Sequence, residues 1–427
     1  MKVHLRMTGC RLNQAELDTM ARQFAAQGHE IVREAADADW HVVNTCAVTT
    51  QAAASSRKLI RELHRARPDA QITVTGCYAQ VAPEAVGKIG GVVRVIDNTG
   101  KDTLVEQLTG QTAMPFDAEP VAREAIPGRT RAFVKVQDGC DNACTFCITT
   151  VARGAGRSRP LGEVVGEVRA LHAIGYQEAV LTGVHLGSYG HDLGKPDGLR
   201  DLVTALLTGT DIPRLRLSSL EPWDLEPAFF ALWADEPRLC RHLHLPLQSG
   251  CDRTLKRMLR RTSQRSFAAL VEAARDAAPD MAVTTDVIAG FPGETDAEFD
   301  ESAAFIETME FAGLHVFPYS PRPGTAAARM KGQVPHEVRQ RRAQILLAHS
   351  AAQTQAFTAR FSGDVRPVLW ENVAGATQDG FLNVGYTDNY VRVHCTHPRA
   401  LTGMITPARL GSGSSRTHAT AVPILEG

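Results

Sequence analysis

Arg131-Ala132-Phe133-Val134-Lys135-Val136-Gln137 leads directly into Cys140-Asp141-Asn142-Ala143-Cys144-Thr145-Phe146-Cys147. In the first run apolar and polar residues alternate, as in a β-strand with one buried face. In the second, three cysteines stand at C-x3-C-x2-C spacing, close enough for their thiolates to converge on one inorganic centre. Thiolate is the usual ligand of iron–sulfur clusters, which normally take four. No further cysteine follows until Cys240, so a cluster held here keeps one iron open for a substrate or cofactor. The plainer alternative is a zinc site or a set of buried thiols. Structural zinc sites, however, pair C-x2-C spacings and use four protein ligands, and this array does neither. The loop just past a strand's carboxyl end is also where barrel enzymes place their active sites.

The chain's 427 residues suggest two or three domains, and a composition of 44% apolar and 22% charged residues is that of a globular protein. No apolar run is long enough to span a bilayer, so no membrane partner is expected. The amino terminus, Met1-Lys2-Val3-His4-Leu5-Arg6, lacks the apolar core of a signal peptide. Nine cysteines, an odd number over a long chain, argue against a disulfide scaffold and for a reducing, cytoplasmic location. A net charge of −1 excludes a global basic field, so a nucleic acid would be held by local patches. Arg253, Lys256, Arg257, Arg260, Arg261 and Arg265 form one candidate, and Arg329, Lys331, Arg339, Arg341 and Arg342 another. Solvated helix faces are the bland reading of both.

Residues 1–112 read as a small doubly wound α/β domain with a parallel sheet. Strand-like segments at Val3–Met7, Trp40–Asn44, Gln71–Thr75 and Val92–Ile96 alternate with helical patterns. Cys10, Cys46 and Cys77 each follow one of the first three strands, on the carboxyl edge where such sheets bind ligands. Gly9 and Gly76 precede two of them and allow close backbone approach. A second three-thiolate cluster explains this repetition better than three unrelated core thiols. Residues 113–128, with Pro115, Pro120, Pro127 and Gly128, read as a linker. Residues 129–352 carry six βα units, which predicts an open (β/α)6 barrel. Residues 358–410 read as a small β-barrel, whose Phe381, Tyr386 and Tyr390 either stack on bases or fill its core. The glycine- and serine-rich start of 411–427 predicts a disordered tail.

The cysteine spacing at 140–147 resembles the signature of the radical S-adenosylmethionine (SAM) superfamily. The arrangement of the whole chain resembles one family within it, the methylthiotransferases, which join an auxiliary-cluster domain, a radical SAM core and a TRAM barrel. Asn44-Thr45-Cys46-Ala47-Val48-Thr49 and Val74-Thr75-Gly76-Cys77-Tyr78-Ala79-Gln80 carry that resemblance. Gly183–Gly190, Leu217–Pro222, His244–Gly250 and Leu314–Ser320 are similar to the branch that acts on threonylcarbamoyladenosine in tRNA. The branches acting on isopentenyladenosine in tRNA and on an aspartate of a ribosomal protein share the fold and are the near alternatives. A non-catalytic iron–sulfur electron carrier or RNA-binding module is the alternative of another class, but it needs no open iron.

The resemblance implies two 4Fe-4S clusters. Cys140, Cys144 and Cys147 would hold the catalytic one, which binds and cleaves SAM, and Cys10, Cys46 and Cys77 the auxiliary one. Gly183, Ser219, Glu221, Gln248, Asp286 and Gly290 would contact SAM. One SAM would supply the methyl group, and another the radical that removes hydrogen from carbon 2 of adenine. The implied partners are a tRNA anticodon stem-loop, a reductant such as flavodoxin or ferredoxin, and a sulfur donor. Three features concern the substrate. Thr149-Thr150-Val151 stands where the family more often has an Ile-Pro-Tyr run, and Arg11 where it often has Lys. Arg153, Arg157 and Arg159 are candidates to meet a substrate carboxylate, with phosphate contact as their alternative.

Overall fold

The computed structural model describes residues 1–112, 129–415 and 418–425, so the expected linker at 113–128 lies outside the described residues. The amino-terminal domain is a parallel sheet of β1 (Lys2–Met7), β2 (Glu30–Ile31), β3 (Trp40–Thr45), β4 (Gln71–Gly76) and β5 (Val92–Val95). Its order, β2-β1-β3-β4-β5, is that of a doubly wound sheet whose direction of winding switches between β1 and β3. Cys10, Cys46 and Cys77 follow β1, β3 and β4, so two of them flank the switch point and the third lies beside it. Cys10 caps helix α1 (Arg11–Ala26), and Cys77 opens the short helix Cys77–Val81.

The central domain contributes β6 (Arg131–Lys135) and a small antiparallel pair, β7 (Gln137–Asp138) and β8 (Arg157–Ser158). It continues with β9 (Glu178–Thr182), β10 (Arg214–Leu217), β11 (His242–His244), β12 (Ala282–Ala289) and β13 (Gly313–Pro318). Two three-stranded parallel sheets, β6-β9-β10 and β11-β12-β13, meet through single bridges at Leu215 with Leu239 and at Ser219 with His244. This is the expected open six-stranded barrel. Alternation sorts its faces. Ala132, Val134, Ala179, Leu181, Leu215, Leu217, Leu243, Val283, Val287 and Leu314 join the buried core under the helices. The alternate positions face the lumen, and the charged and imidazole-bearing ones among them include Arg131, Lys135, Glu178, Arg216, His242, His244, Asp286 and His315. A lumen this polar is not a packed core, so it has a ligand to receive.

The last domain is a closed barrel ordered β14-β15-β16-β18-β17. Its strands are β14 (Val365–Thr377), β15 (Gly380–Thr387), β16 (Arg392–His397), β17 (Ile405–Ser415) and β18 (His418–Pro423). The predicted tail is corrected here. Residues 411–415 continue β17, and 418–423 form the strand that closes the barrel, with Leu410 paired to Ala421. Glycine serves that closure, since a Cβ on Gly411 would sit 2.2 Å from Thr420 Oγ1. A composition that looks like disorder is here a close strand approach. The barrel docks on the amino-terminal rim of the central barrel. Arg214 donates to the Tyr386 and Pro367 carbonyls at 3.0 and 2.6 Å, and Arg216 to the Asp388 carbonyl at 3.0 Å. Tyr386 and Tyr390 lie in that junction, which removes them as base-stacking candidates, whereas Phe381 is 38% exposed.

Candidate active site between two cysteine triads

The loop carrying Cys140, Cys144 and Cys147 is pinned at both ends. Gly139 adopts φ +72°, and a Cβ there would lie 1.8 Å from the Ala155 carbonyl, so only glycine fits the entry. The Cys140 amide donates to the Gly154 carbonyl at 3.0 Å, and the Thr145 amide to the Met258 carbonyl at 3.1 Å. Each sulfur faces a donor. The Asn142 amide lies 3.4 Å from Cys140 Sγ, the Thr149 amide 3.4 Å from Cys147 Sγ, and the Arg260 guanidinium 3.8 Å from Cys144 Sγ. Burial pushes the Cys144 thiol up to about 11, although Arg260 pulls the other way. Cys147 is raised by burial, and the neighbouring Cys140 adds to it. Donors aimed at sulfurs favour the thiolate form that a cluster requires, and no disulfide joins the three. The residues therefore fit a thiolate-ligated metal cluster.

The non-cysteine candidates divide into two groups. Gln248 and Asp286 line a cavity of about 190 Å³ together with Phe146, Cys147, Ile148, Thr149, Ile288 and the 317–320 segment. Val48 and Thr49, just past Cys46, also line this cavity, so both cysteine-bearing domains contribute to it. Gln248 is held at φ +70° by backbone bonds to Asp286 and Ile288. The Asp286 carboxylate is already engaged by His244 at 3.3 Å and His315 at 3.2 Å. Against its burial, those imidazoles hold it well below the usual carboxylate range. Gly183, Ser219 and Glu221 do not line this cavity. Glu221 accepts from Arg260 at 2.6 Å and so acts on Cys144 through that guanidinium. A Cβ on Gly183 would press to 3.0 Å on Gln137 Oε1, and Ser219 bridges to His244. Gly290 lies elsewhere: at φ +74° it makes room for Arg339, whose Cγ would meet a Cβ at 2.3 Å. A larger cleft, about 530 Å³ between α1 and the 157–167 segment, contains no cysteine, and its Glu16, Lys101 and Lys135 are already ion-paired.

The second triad is built by glycine and hydroxyl chemistry. A Cβ on Gly9 (φ +108°) would lie 2.6 Å from Cys46 Cβ and 2.9 Å from its sulfur. The Cys46 amide donates to Thr8 Oγ1 at 3.1 Å and to Ser56 Oγ at 3.3 Å, which leaves the thiol turned to the edge. Burial pushes Cys46 up to about 11, and the nearby Cys10 and Cys77 sulfurs push the same way. Cys10 is exposed while Cys46 and Cys77 are buried, as expected for a site open on one side. Cys240, Cys251 and Cys395 are buried, in line with ordinary thiols.

Two residues with a role here, Gln137 and Asn13, were missed from sequence, where only their polarity was visible. Gln137 accepts from the His185 amide at 2.9 Å and donates to the Gly139 carbonyl at 2.8 Å, tying β7 to the 183–185 turn. Asn13 donates to the Thr8 and Thr45 carbonyls at 2.8 and 3.2 Å, bracing the edge that carries Cys10 and Cys46. His185, in the 183–190 stretch that carries the resemblance, sits between Asp224 and Cys140; although burial opposes it, Asp224 and the Cys140 sulfur raise it to about 10. The expectation for Arg153 is corrected. It is buried, with Glu16 at 2.9 Å, Asp138 at 2.8 Å and Asn13 at 2.8 Å, and is out of reach of a substrate carboxylate. It clamps the two cluster-bearing domains together. Arg159 is likewise committed, to Glu167 at 2.6 Å.

The comparisons define the class of the central domain as a radical SAM core. Residues 134–306 match the model of the radical SAM superfamily, and residues 2–97 that of the uncharacterized protein family UPF0004. The chain is 36% identical to the threonylcarbamoyladenosine tRNA methylthiotransferase MtaB of Bacillus subtilis, over 94% of this chain and 92% of that one. It is 35% identical to the protein of the same name from Thermotoga maritima, over 91% and 90%. It is also 35% identical to the tRNA-2-methylthio-N(6)-dimethylallyladenosine synthase of Cereibacter sphaeroides, over 96% and 95%. Among solved structures, the radical SAM methyltransferase TsrM of Kitasatospora setae matches with a TM-score of 0.55 at 16% identity, over 77% of this chain and 75% of that one. That likeness shows the fold alone. The chain belongs to the radical SAM methylthiotransferases, in the MtaB family of threonylcarbamoyladenosine tRNA methylthiotransferases. As a radical SAM enzyme it uses S-adenosylmethionine and a [4Fe–4S] cluster.

Proposed function

We propose that the protein converts threonylcarbamoyladenosine in tRNA, in the anticodon stem-loop beside the anticodon, to its 2-methylthio derivative. The observation that carries this is one cavity lined from two domains, by Cys147 of the central triad on one side and by Val48 and Thr49, which follow Cys46, on the other. The names of the relatives supply the substrate class. Cys140, Cys144 and Cys147 hold the SAM cluster, and Cys10, Cys46 and Cys77 hold a second cluster at which sulfur is delivered. Bound there, the clusters and SAM supply the one-electron chemistry that an unactivated adenine C–H bond demands. The chain's own residues position and shield. Arg260 and the Asn142 and Thr149 amides stabilise the thiolates, and Phe146, Ile148 and Ile288 offer an apolar wall for the SAM adenine. Val48 and Thr49 close the cavity from the auxiliary side, which keeps water from a reactive intermediate.

We infer a cytoplasmic enzyme, served by a small reductant such as flavodoxin or ferredoxin and by a separate sulfur donor. No helix among the described residues is long and apolar enough to cross a membrane. The test offers the reconstituted enzyme tRNA bearing either the threonylcarbamoyl or the isopentenyl group and scores methylthio product by mass. Product on the first supports the proposal. Product only on the second, or only on a ribosomal protein, overturns it.

A further inference from the structure

We propose that Arg11 binds the carboxylate that the substrate carries on its modified adenine, with the Tyr390 hydroxyl as its neighbour in the barrel lumen. This rests on the threonylcarbamoyl reading and names the residue that recognises that group. Arg11 is the first residue of α1, directly after Cys10. Its guanidinium reaches into the central barrel, where it donates to Tyr390 Oη at 3.0 Å. Tyr390 enters from the opposite side, stacked on His242 with ring centroids 4.7 Å apart and covered by Arg216 at 4.5 Å. Through Tyr390 the Arg11 guanidinium is brought beside His242, a lumen residue of β11.

The charges of this space do not balance. Arg216 is paired with Glu178 at 2.7 Å, and Arg131 is paired with Glu371. Lys135 meets Asp102 at 2.7 Å, and Asp286 is taken up by its two imidazoles. Arg11 has no carboxylate partner among the described residues; its only hydrogen bond there is to the Tyr390 phenol. Although burial works to raise the Tyr390 phenol, Arg11, Arg131 and Arg216 outweigh it and hold the phenol below its usual range. The surplus is therefore positive, at the edge of the auxiliary triad, where the adenine must lie to receive sulfur. A carboxylate supplies the missing partner in a charge-assisted, geometrically matched pair. An isopentenyl group would leave Arg11 desolvated and unpaired, which is a penalty against the wrong tRNA.

The test uses the reconstituted full-length enzyme and one tRNA in two forms, threonylcarbamoyl with a free acid and the same group as its methyl ester. The wild type should show a KM roughly ten- to hundredfold lower for the acid. Arg11→Gln, in protein retaining wild-type iron, should raise KM for the acid to that of the ester without changing KM for the ester, and Arg11→Lys should restore part of the preference. Equal KM for acid and ester in the wild type would overturn the proposal without any variant, and so would an Arg11→Gln change that affects both forms alike. Turnover of isopentenyl tRNA alone would instead overturn the substrate assignment beneath it.

Discussion

Gly9 shows how narrowly a single residue can control a cluster. Its φ of +108° is a conformation that L side chains rarely adopt, and any Cβ would collide with Cys46. We predict that Gly9→Ala displaces Cys46 and strips the auxiliary site while sparing the other. On the proposed assignment of one [4Fe–4S] cluster to each triad, wild-type protein reconstituted without oxygen should carry about eight irons per chain and the variant about four. Iron near four in the wild type would remove the second cluster. The glycines before Cys10 and Cys77 were legible in the sequence because strand–Gly–Cys recurs at Gly9 and Gly76. The fate of Arg153 was not. Its partners Asn13 and Glu16 lie on another domain, and burial of a guanidinium is decided only when that domain docks.

At the scale of elements, the lumen's charged ring decides acid stability. Glu178 on β9 is fully buried. Burial would raise its pKa, but Arg216, with help from Arg131 and Arg214, holds it down at about 2. A folded pKa below the unfolded value of 4.5 contributes stability that is complete above that value. That contribution is lost as pH falls from about 4.5 towards 2. Glu178→Gln leaves Arg216 buried without its counter-charge, which should cost about 3–5 kcal/mol at pH 7. Thermal unfolding of both proteins from pH 7 to pH 3 should show a gap that narrows only below pH 4.5; a constant gap would mean that Glu178 stabilises by packing. Strand existence was legible from period-two alternation, and β6 falls within the alternating run Arg131–Gln137. Which alternate face was lumen was not, because Leu215 and Arg216 differ by one position and only closure says which side is inside.

For the whole molecule, the first two domains line one cavity, and the third docks on the amino-terminal rim of the central barrel. The sequence identified that barrel but not its docking, because the contacts that seat it join Arg214 to the Tyr386 carbonyl and Arg216 to the Asp388 carbonyl, far apart in the chain. With Tyr386 and Tyr390 half-buried and engaged in the junction, Phe381 is the remaining one of the three aromatics able to stack on RNA. Phosphate contact must then come from cations that are not committed. Arg257 pairs with Glu298 at 2.6 Å, Arg260 serves Cys144, and Arg342 pairs with Glu294 at 2.7 Å, while Lys256, Arg261, Arg265, Arg329, Lys331 and Arg341 are exposed. These two kinds of contact separate in a salt titration. Affinity for tRNA should fall steeply with salt, and each neutralised phosphate contact should lower the log–log slope by about one. Phe381→Ala should instead weaken binding by about 1–3 kcal/mol at every salt concentration, leaving the slope unchanged, because stacking releases no counterions. If Phe381→Ala leaves the affinity intact while Lys256→Gln and Arg261→Gln lower the slope, the tRNA is held by the central barrel's surface, and the last domain serves to close the lumen.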